Sequence, residues 1–490
     1  MRKSDWIQWF VIGGLLAVTG NSFGQAQDFT AVRADVDFAK PVREWDGFGV
    51  NYVEVAQSVD YVQDPQEYGG FSLLTEEERQ QVIEMVFGSD GLKPGLVKMF
   101  LDSFHQAQPG GAFDHETTTR WMRYFVREGL KRTRSRGEDL TIITTLYGPP
   151  AWATKQKFMR GRDLDPARKY DLARYMIDWV RYLREEEGFP VRYISLHNEG
   201  EDWLRWPADG ASGNIGTGHD YNLFWPPEQV AEFIRIMRPM LDATGLHDVG
   251  VTPGECTNWY RFSAWGYADA IADDPGALAN LGLITSHGFY GGGYGRWFGE
   301  HRSLGTDILR EKRPELHAWV TSTSWSQMNA ANVKEMHGNI YTAKVNGIIP
   351  WACIQRPAKW VGGDPNPGTA FRVSEDGSYE VLRGYYYFKQ LARAGQPGMA
   401  VVKTFAMDSE VAVIGFARNG TKHPDAFTVV NLGKDKKVAV KVLGAGSDSF
   451  QVFRTSDEKD RYEQIGRVGL EDGVIVFDAP AQSATTFFAQ

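Results

Sequence analysis

Leu140-Thr141-Ile142-Ile143-Thr144-Thr145-Leu146 is a short run of apolar and β-branched residues, and it is followed by Tyr170-Asp171-Leu172-Ala173-Arg174-Tyr175-Met176-Ile177-Asp178-Trp179-Val180. In the second segment an apolar side chain returns every three or four places. A further run, Val191-Arg192-Tyr193-Ile194-Ser195-Leu196-His197, comes next. A strand buried on both faces reads as a continuous apolar run, and a 3.6-residue period reads as an amphipathic helix. The stretch therefore predicts strand 140–146, helix 167–187 and a parallel strand 191–197. The same alternation extends both ways, as 47–54 then 75–87, 96–102 then 118–136, 249–252 then 268–280, 281–286 then 306–313, 316–321 then 333–345, and 348–354 then 381–394; 191–197 is itself followed by helix 227–244. Eight such units predict an α/β fold, a (β/α)8 TIM barrel. An open doubly wound sheet is the rival, but no Gly-x-Gly-x-x-Gly turn follows an early strand.

Beyond Gly398 the helical period stops. Short alternating runs at 410–416, 426–431, 437–442, 450–454, 474–478 and 485–489 predict a β-sandwich, and the extended segment 29–38 is expected to join it as a strand. At the amino end Arg2 and Lys3 precede the apolar run 9–18, and small residues stand before a cut after Ala26. This reads as a cleaved secretory signal, so the expected destination is secreted or periplasmic. The run is too short to span a bilayer. The expected division is a signal peptide over 1–26, a joining strand over 27–42, a barrel over 43–398 and a β-sandwich over 399–490.

Composition narrows the function. Against 53 Lys+Arg stand 62 Asp+Glu, a formal charge of −9 that argues against a polyanion binder. Two Cys and ten scattered His lack metal-ligand spacing, and no metal or organic cofactor is implied. An oxidising compartment would permit a Cys256–Cys353 bridge without requiring one. The aromatic share is 13%, with 16 Trp, which suits both core packing and a groove that stacks on sugar rings.

Chemistry in such a barrel sits at the carboxyl ends of the strands. Those ends carry Asn51 and Glu54, Lys98 and Asp102, Tyr147 to Trp152, His197-Asn198-Glu199, Glu255, His287 and Tyr290, Thr321 to Trp325, and Trp351 with Gln355 and Arg356. Carboxylates, amides and aromatics dominate, and no Cys-His or Gly-x-Ser-x-Gly nucleophile is present. That set points to acid/base work on glycosidic bonds, with Glu199 as general acid, its pKa expected to be raised by partial burial.

Ile194-Ser195-Leu196-His197-Asn198-Glu199-Gly200-Glu201 resembles the Asn-Glu motif that ends strand 4 in clan A glycoside hydrolases, and Tyr147-Gly148-Pro149-Pro150-Ala151-Trp152 is similar to the strand 3 signature of glycoside hydrolase family 30. Further resemblances are Trp45-Asp46-Gly47-Phe48-Gly49, Leu74-Thr75-Glu76-Glu77-Glu78-Arg79 and the segment from Tyr385 to Gly398. The resemblance implies Glu199 as acid/base and Asn198 as the partner of a sugar 2-hydroxyl. It also marks two departures. Ser322, in Trp319-Val320-Thr321-Ser322-Thr323-Ser324-Trp325, stands where the family has its nucleophilic Glu, and Lys98 stands where the clan commonly has an Arg.

Three readings follow. The protein is a hydrolase whose second carboxylate is Glu255, Asp102 or Glu54; or a nucleophile variant of a retaining enzyme, slow in hydrolysis and able to join sugars from an activated donor; or a silent carbohydrate-binding protein on the same scaffold. Trp152, Trp351, Trp325 and Trp203 are candidate sugar platforms, with core packing as the alternative for each. Arg205 and Trp206 are candidates for a subsite wall. His287 and Tyr290 are expected to bind the sugar or the strand 7 residue, Asp102 is a further substrate contact, and Lys98 and Arg356 are possible partners of an acidic substrate.

Overall fold

The computed structural model describes residues 31–55, 67–210, 222–289, 302–324, 329–356 and 369–490. The parallel strands Gly47–Asn51, Leu96–Leu101, Thr141–Leu146, Val191–Ser195, Gly250–Thr252, Ile284–Ser286, Ala318–Ser324 and Gly347–Trp351 form one sheet in chain order. They are barrel strands 1 to 8. Strand 8 pairs back onto strand 1 through Gly347 and Ile348 against Gly47 and Phe48. Strands 5 and 6 meet through the single bridges Val251–Leu281 and Cys256–Ser286, which close the ring. The expected TIM barrel is therefore present.

Its interior is packed. Leu96, Ile143, Leu283, Trp319 and Ile349 form a buried cluster against Tyr193, the filled lumen that eight tilted strands leave room for. Gly49 is needed there, because a Cβ at this position would lie 2.6 Å from the Ile349 side chain. Outside the ring the amphipathic helices cover the strands. The first, Glu76–Phe87, starts at a capping box: the Glu78 amide donates to Thr75 Oγ1 at 3.3 Å and the Thr75 amide donates to Glu78 Oε2 at 2.8 Å.

Ile354–Gln355, Phe371–Val373 and Tyr379–Val381 form a small three-stranded sheet, and the other nine strands form one mostly antiparallel sheet that folds over a second core of Val36, Val402, Phe427, Val440, Phe450 and Phe487 among others. Ala31–Glu44 lies inside that sheet, antiparallel to Ala400–Ala406 and parallel to Lys436–Leu443. The chain before the barrel thus pairs with strands from the chain after it. Helix Arg383–Ala394 joins the two parts, with Gln390 Nε2 donating to Thr455 Oγ1 at 2.9 Å and Thr486 Oγ1 donating to the Gln390 carbonyl at 3.3 Å. Cys256 and Cys353 are separate buried thiols, so the permitted bridge is not formed. Among the described residues no helix is long and apolar enough to cross a membrane.

Candidate active site

Barrel strands 4 and 5 continue past their regular ends as a pair. Asn198 bridges Glu255 in parallel, the Glu199 amide donates to the Glu255 carbonyl at 2.8 Å, and the Glu255 amide donates to the His197 carbonyl at 2.9 Å. Glu199 then turns into the left-handed region, with φ +47. A non-glycine residue there costs about 1–3 kcal/mol and is held only by over-determined surroundings, a pattern concentrated at functional sites.

Those surroundings are a chain of charges. Glu199 Oε2 receives Arg205 Nη2 at 2.7 Å, and Arg205 Nη1 donates to the Glu199 carbonyl at 2.9 Å. Glu199 Oε1 lies 2.9 Å from His287 Nδ1, and the other ring nitrogen, Nε2, lies 3.1 Å from Glu255 Oε2. Glu255 also receives Thr145 Oγ1 at 2.7 Å on Oε1 and the Lys98 ammonium on Oε2. Lys98 Nζ in turn donates to Ser322 Oγ at 3.0 Å. All these side chains are buried. With a carboxylate on each nitrogen, both ring nitrogens of His287 donate, which is the imidazolium form.

The protonation states follow from these neighbours. Burial pushes the Glu199 carboxyl up, but Arg205 and His287 outweigh it and hold the group well below the usual carboxylate range. This corrects the sequence expectation of a raised pKa: burial is the largest single effect and acts in the expected direction, but the Arg205 guanidinium at 2.7 Å and His287 together act more strongly the other way. Burial likewise opposes ionisation of Glu255, and Lys98 and His287 overcome it, bringing the group to about 2. For His287 burial disfavours the cation, but its hydrogen bonds to Glu199 and Glu255 raise it above the ordinary imidazole value.

A second ionic cluster fixes the loop that carries Arg205. Glu201 Oε1 accepts from the Thr257 amide at 2.9 Å, from Thr257 Oγ1 at 2.6 Å and from Arg261 Nη1 at 2.8 Å. Asp202 accepts from the Leu204 amide at 3.0 Å and opens the short helix Trp203–Arg205. Beneath Glu255, Gly254 adopts φ +91, where a Cβ would lie 2.1 Å from His197 Cδ2. The Gly254→Ala variant is expected to combine left-handed strain with a clash against a buried ring, lowering the thermal midpoint by several degrees and displacing Glu255. Thermal unfolding beside activity of the same preparation checks this.

Other sequence candidates fall elsewhere. Asp102 is buried, accepts from the Phe104 amide at 2.7 Å, and is raised by burial to about 7. Glu54 accepts from the Met122 amide of helix His115–Ser135 at 2.9 Å and is raised by burial to about 8. Both carboxyls accept from backbone amides, and neither belongs to the hydrogen-bonded chain that runs from Arg205 to Ser322. Arg356 pairs with Glu375 at 2.9 Å. Trp351 is only 6% exposed and packs with Tyr147, Phe100 and Tyr68 in an aromatic cluster at the ends of strands 2, 3 and 8. Trp152 donates its indole N–H to the Gln106 carbonyl at 3.1 Å and meets Tyr175 edge-on. Trp206 is buried, whereas Trp203 is exposed, with the Arg162 guanidinium 3.6 Å from its ring centre. Tyr290 and Trp325 lie outside the described residues. Sequence reasoning placed Arg205 in a subsite wall and missed Thr145 and Arg261. Nothing in their spacing announces an ion pair with Glu199 or support for Glu255.

No protein-family model and no curated protein matches the sequence. Solved structures do match. The chain is similar to a GH30 endoxylanase from Clostridium papyrosolvens C71, with TM-score 0.65 and 16% identity over 94% of this chain and 100% of that one. It is equally similar to the GH30 subfamily 8 xylanase of Clostridium acetobutylicum, with TM-score 0.67 and 16% identity over 94% and 99%. An endo-β1,6-glucanase matches at TM-score 0.66 and 16% identity over 94% of each chain. The fold is that of glycoside hydrolase family 30 structures, barrel and β-sandwich together.

Proposed function

We propose that the protein is a secreted glycoside hydrolase that cleaves O-glycosidic bonds of an oligosaccharide or polysaccharide, with Glu199 as acid/base and Glu255 as the second carboxylate. The observation that carries this reading is the imidazole bridge. Contacts of 2.9 and 3.1 Å on the two nitrogens of one ring join the two carboxylates through a single imidazole, a path along which a proton can pass between them. Burying so many charges is costly, and strongly perturbed carboxylates with specific charge partners are a feature of functional sites. Export rests on the basic and apolar segment up to Ala26.

Proton movement follows from the resting state. The His287 Nδ1 proton passes to Glu199 Oε1 and from there to the glycosidic oxygen as the C–O bond breaks. Water adds to the anomeric carbon on the opposite face as its proton passes to Glu255, and His287, bonded to both carboxylates, takes that proton on to restore the resting state. Asn198 is assigned the sugar hydroxyl on the strength of its strand 4 motif, and Trp203 is assigned an aromatic contact.

A second reading is favoured by one specific observation: Glu255 is fully buried, while the position at the end of strand 7 is held by Ser322. On that reading the site lacks its nucleophile, hydrolysis is slow, and a small external anion substitutes for it. Activated aryl glycosides with and without azide or formate separate the two. Turnover unchanged by the anions, with an inverted product anomer by NMR, is expected for the first reading. Rescue of tenfold or more transfers the assignment to the second. Oligosaccharide binding without turnover under either condition would sink both.

A further inference from the structure

Both carboxylate oxygens of Glu199 are occupied in the resting site, Oε2 by Arg205 Nη2 at 2.7 Å and Oε1 by His287 Nδ1 at 2.9 Å. A general acid has to turn a protonated oxygen toward the glycosidic bond, so one of the two partners must leave. His287 supplies the proton in the proposed path, and its departure would cut the link to Glu255. Arg205 is therefore the partner that moves. While it stays, it and His287 hold the Glu199 carboxyl well below the usual carboxylate range against the pull of burial. That is the ionised state, which has no proton to give.

The same loop holds a second place for the guanidinium. Glu201 is 3% exposed, and its two oxygens are served unequally. Oε1 accepts from the Thr257 amide, the Thr257 hydroxyl and Arg261 Nη1, whereas the buried Oε2 has no hydrogen-bond partner among the described residues. Arg261 does not fill the gap, since its other terminal nitrogen, Nη2, lies 3.5 Å from Asp202 Oδ2. A buried carboxylate oxygen without a donor is costly, more so than a neutral acceptor. Arg205 already acts on this group: burial pushes the Glu201 carboxyl up, and Arg205, ahead of Arg261, brings it below its ordinary value. The charge of Glu199 works in the opposite direction. Two carboxylates thus compete for one guanidinium.

We propose that Arg205 is a latch with two positions, on Glu199 in the resting protein and on Glu201 Oε2 when Glu199 carries a proton, and that Glu201 is the positioning residue that provides the second position. The step balances. The N–H bond at His287 Nδ1 breaks as the O–H bond at Glu199 Oε1 forms, so imidazolium and carboxylate both become neutral while Arg205 exchanges one carboxylate for another. An arginine that remained on a neutral Glu199 would be a buried cation stripped of its counter-charge. The latch rests on the reading of Glu199 as acid/base, and it adds the event that frees this acid to work.

Glu199→Gln mimics the protonated acid without any substrate, and crystal structures of this variant and of the parent protein read the position of Arg205 directly. A guanidinium nitrogen within about 3.2 Å of Glu201 Oε2 is expected in the variant and not in the parent. Arg205 on residue 199 in both structures would overturn the proposal, whatever the protein hydrolyses. Glu201→Gln supplies a kinetic readout, with phenyl and dinitrophenyl glycosides of one sugar that the parent turns over. For the phenyl glycoside, whose poor leaving group needs the acid, kcat is expected to fall at least about tenfold with KM within about twofold. For the dinitrophenyl glycoside kcat is expected to stay within about threefold. An equal fall with both, the mark of a merely structural role, would also overturn the latch. Absence of turnover by the parent protein defeats the hydrolase reading alone, and the crystallographic comparison then decides the latch by itself.

Discussion

Glu199→Gln is expected to lower turnover of a natural oligosaccharide by about a thousandfold, the scale of lost general acid/base catalysis. The reason is specific to this site. Each carboxylate oxygen of Glu199 faces a donor, Arg205 Nη2 on one side and His287 Nδ1 on the other. A glutamine satisfies one of them with its carbonyl and turns an N–H donor toward the other, so both the charge and the proton path are lost. Glycosides with a good leaving group need little protonation and are expected to suffer far less. That split between substrates is what a merely structural role would not produce. Turnover of the natural substrate within tenfold of the parent protein would remove Glu199 from the mechanism. The pH profile offers an independent check. Because Arg205 and His287 depress the Glu199 pKa, an Arg205→Met variant is expected to move the acid limb of the rate profile to higher pH.

The barrel was legible because its strands are largely buried and are separated by helices, with the 3.6-residue period plainest in Lys169–Glu185. The run 140–146 is observed as Thr141–Leu146, and 191–197 as Val191–Ser195. Two strands of the sandwich were not named from the sequence. Arg461–Gly469 is an edge strand exposed along most of its length, so no apolar alternation marks it. Ala400–Ala406 begins buried but carries Lys403 on its exposed stretch, which breaks the pattern. At the site, the strand-end rule alone brings Glu199, Glu255, His287, Lys98 and Ser322 to one face, and the structure joins all five in one hydrogen-bonded chain. Protonation was not legible. It depends on Arg205, six residues beyond Glu199 on a loop whose path is set by Glu201 and Arg261, and no local period encodes that return. The Trp residues show the same boundary. A strand-end position suggested a sugar platform for Trp351, with core packing as the alternative, and the structure sets it in a cluster with Tyr147 and Tyr68.

Lys98→Met is expected to destabilise the protein by about 3–5 kcal/mol, because it leaves one partner of a fully buried ion pair behind. Lys98 and Glu255 are both 0% exposed in their side chains. Without the ammonium, Glu255 keeps Thr145 and His287 as its side-chain partners among the described residues, and Ser322 loses its donor from Lys98. The thermal midpoint is expected to fall by about 5 °C or more. The double variant Lys98→Met/Glu255→Gln removes both charges and is expected to recover most of that loss while remaining inactive. Failure of the second substitution to restore stability would show that Lys98 acts through packing rather than charge. The wild-type pair also sets an acid limit. Glu255 is depressed to about 2 by Lys98 and His287 against the pull of burial, so its folded pKa lies below its unfolded value. The stability it contributes is fully present above the ordinary Glu pKa of about 4.3 and is lost as pH falls through the folded value. His287 has the opposite sign. Its raised pKa contributes stability that is present below the ordinary imidazole value of about 6.5 and lost as pH rises through the folded one. Stability attributable to this network is therefore expected to be greatest between those two ordinary values. Glu255→Gln is expected to flatten the acid side of that dependence and to leave much of the alkaline side, where Glu199 still holds His287.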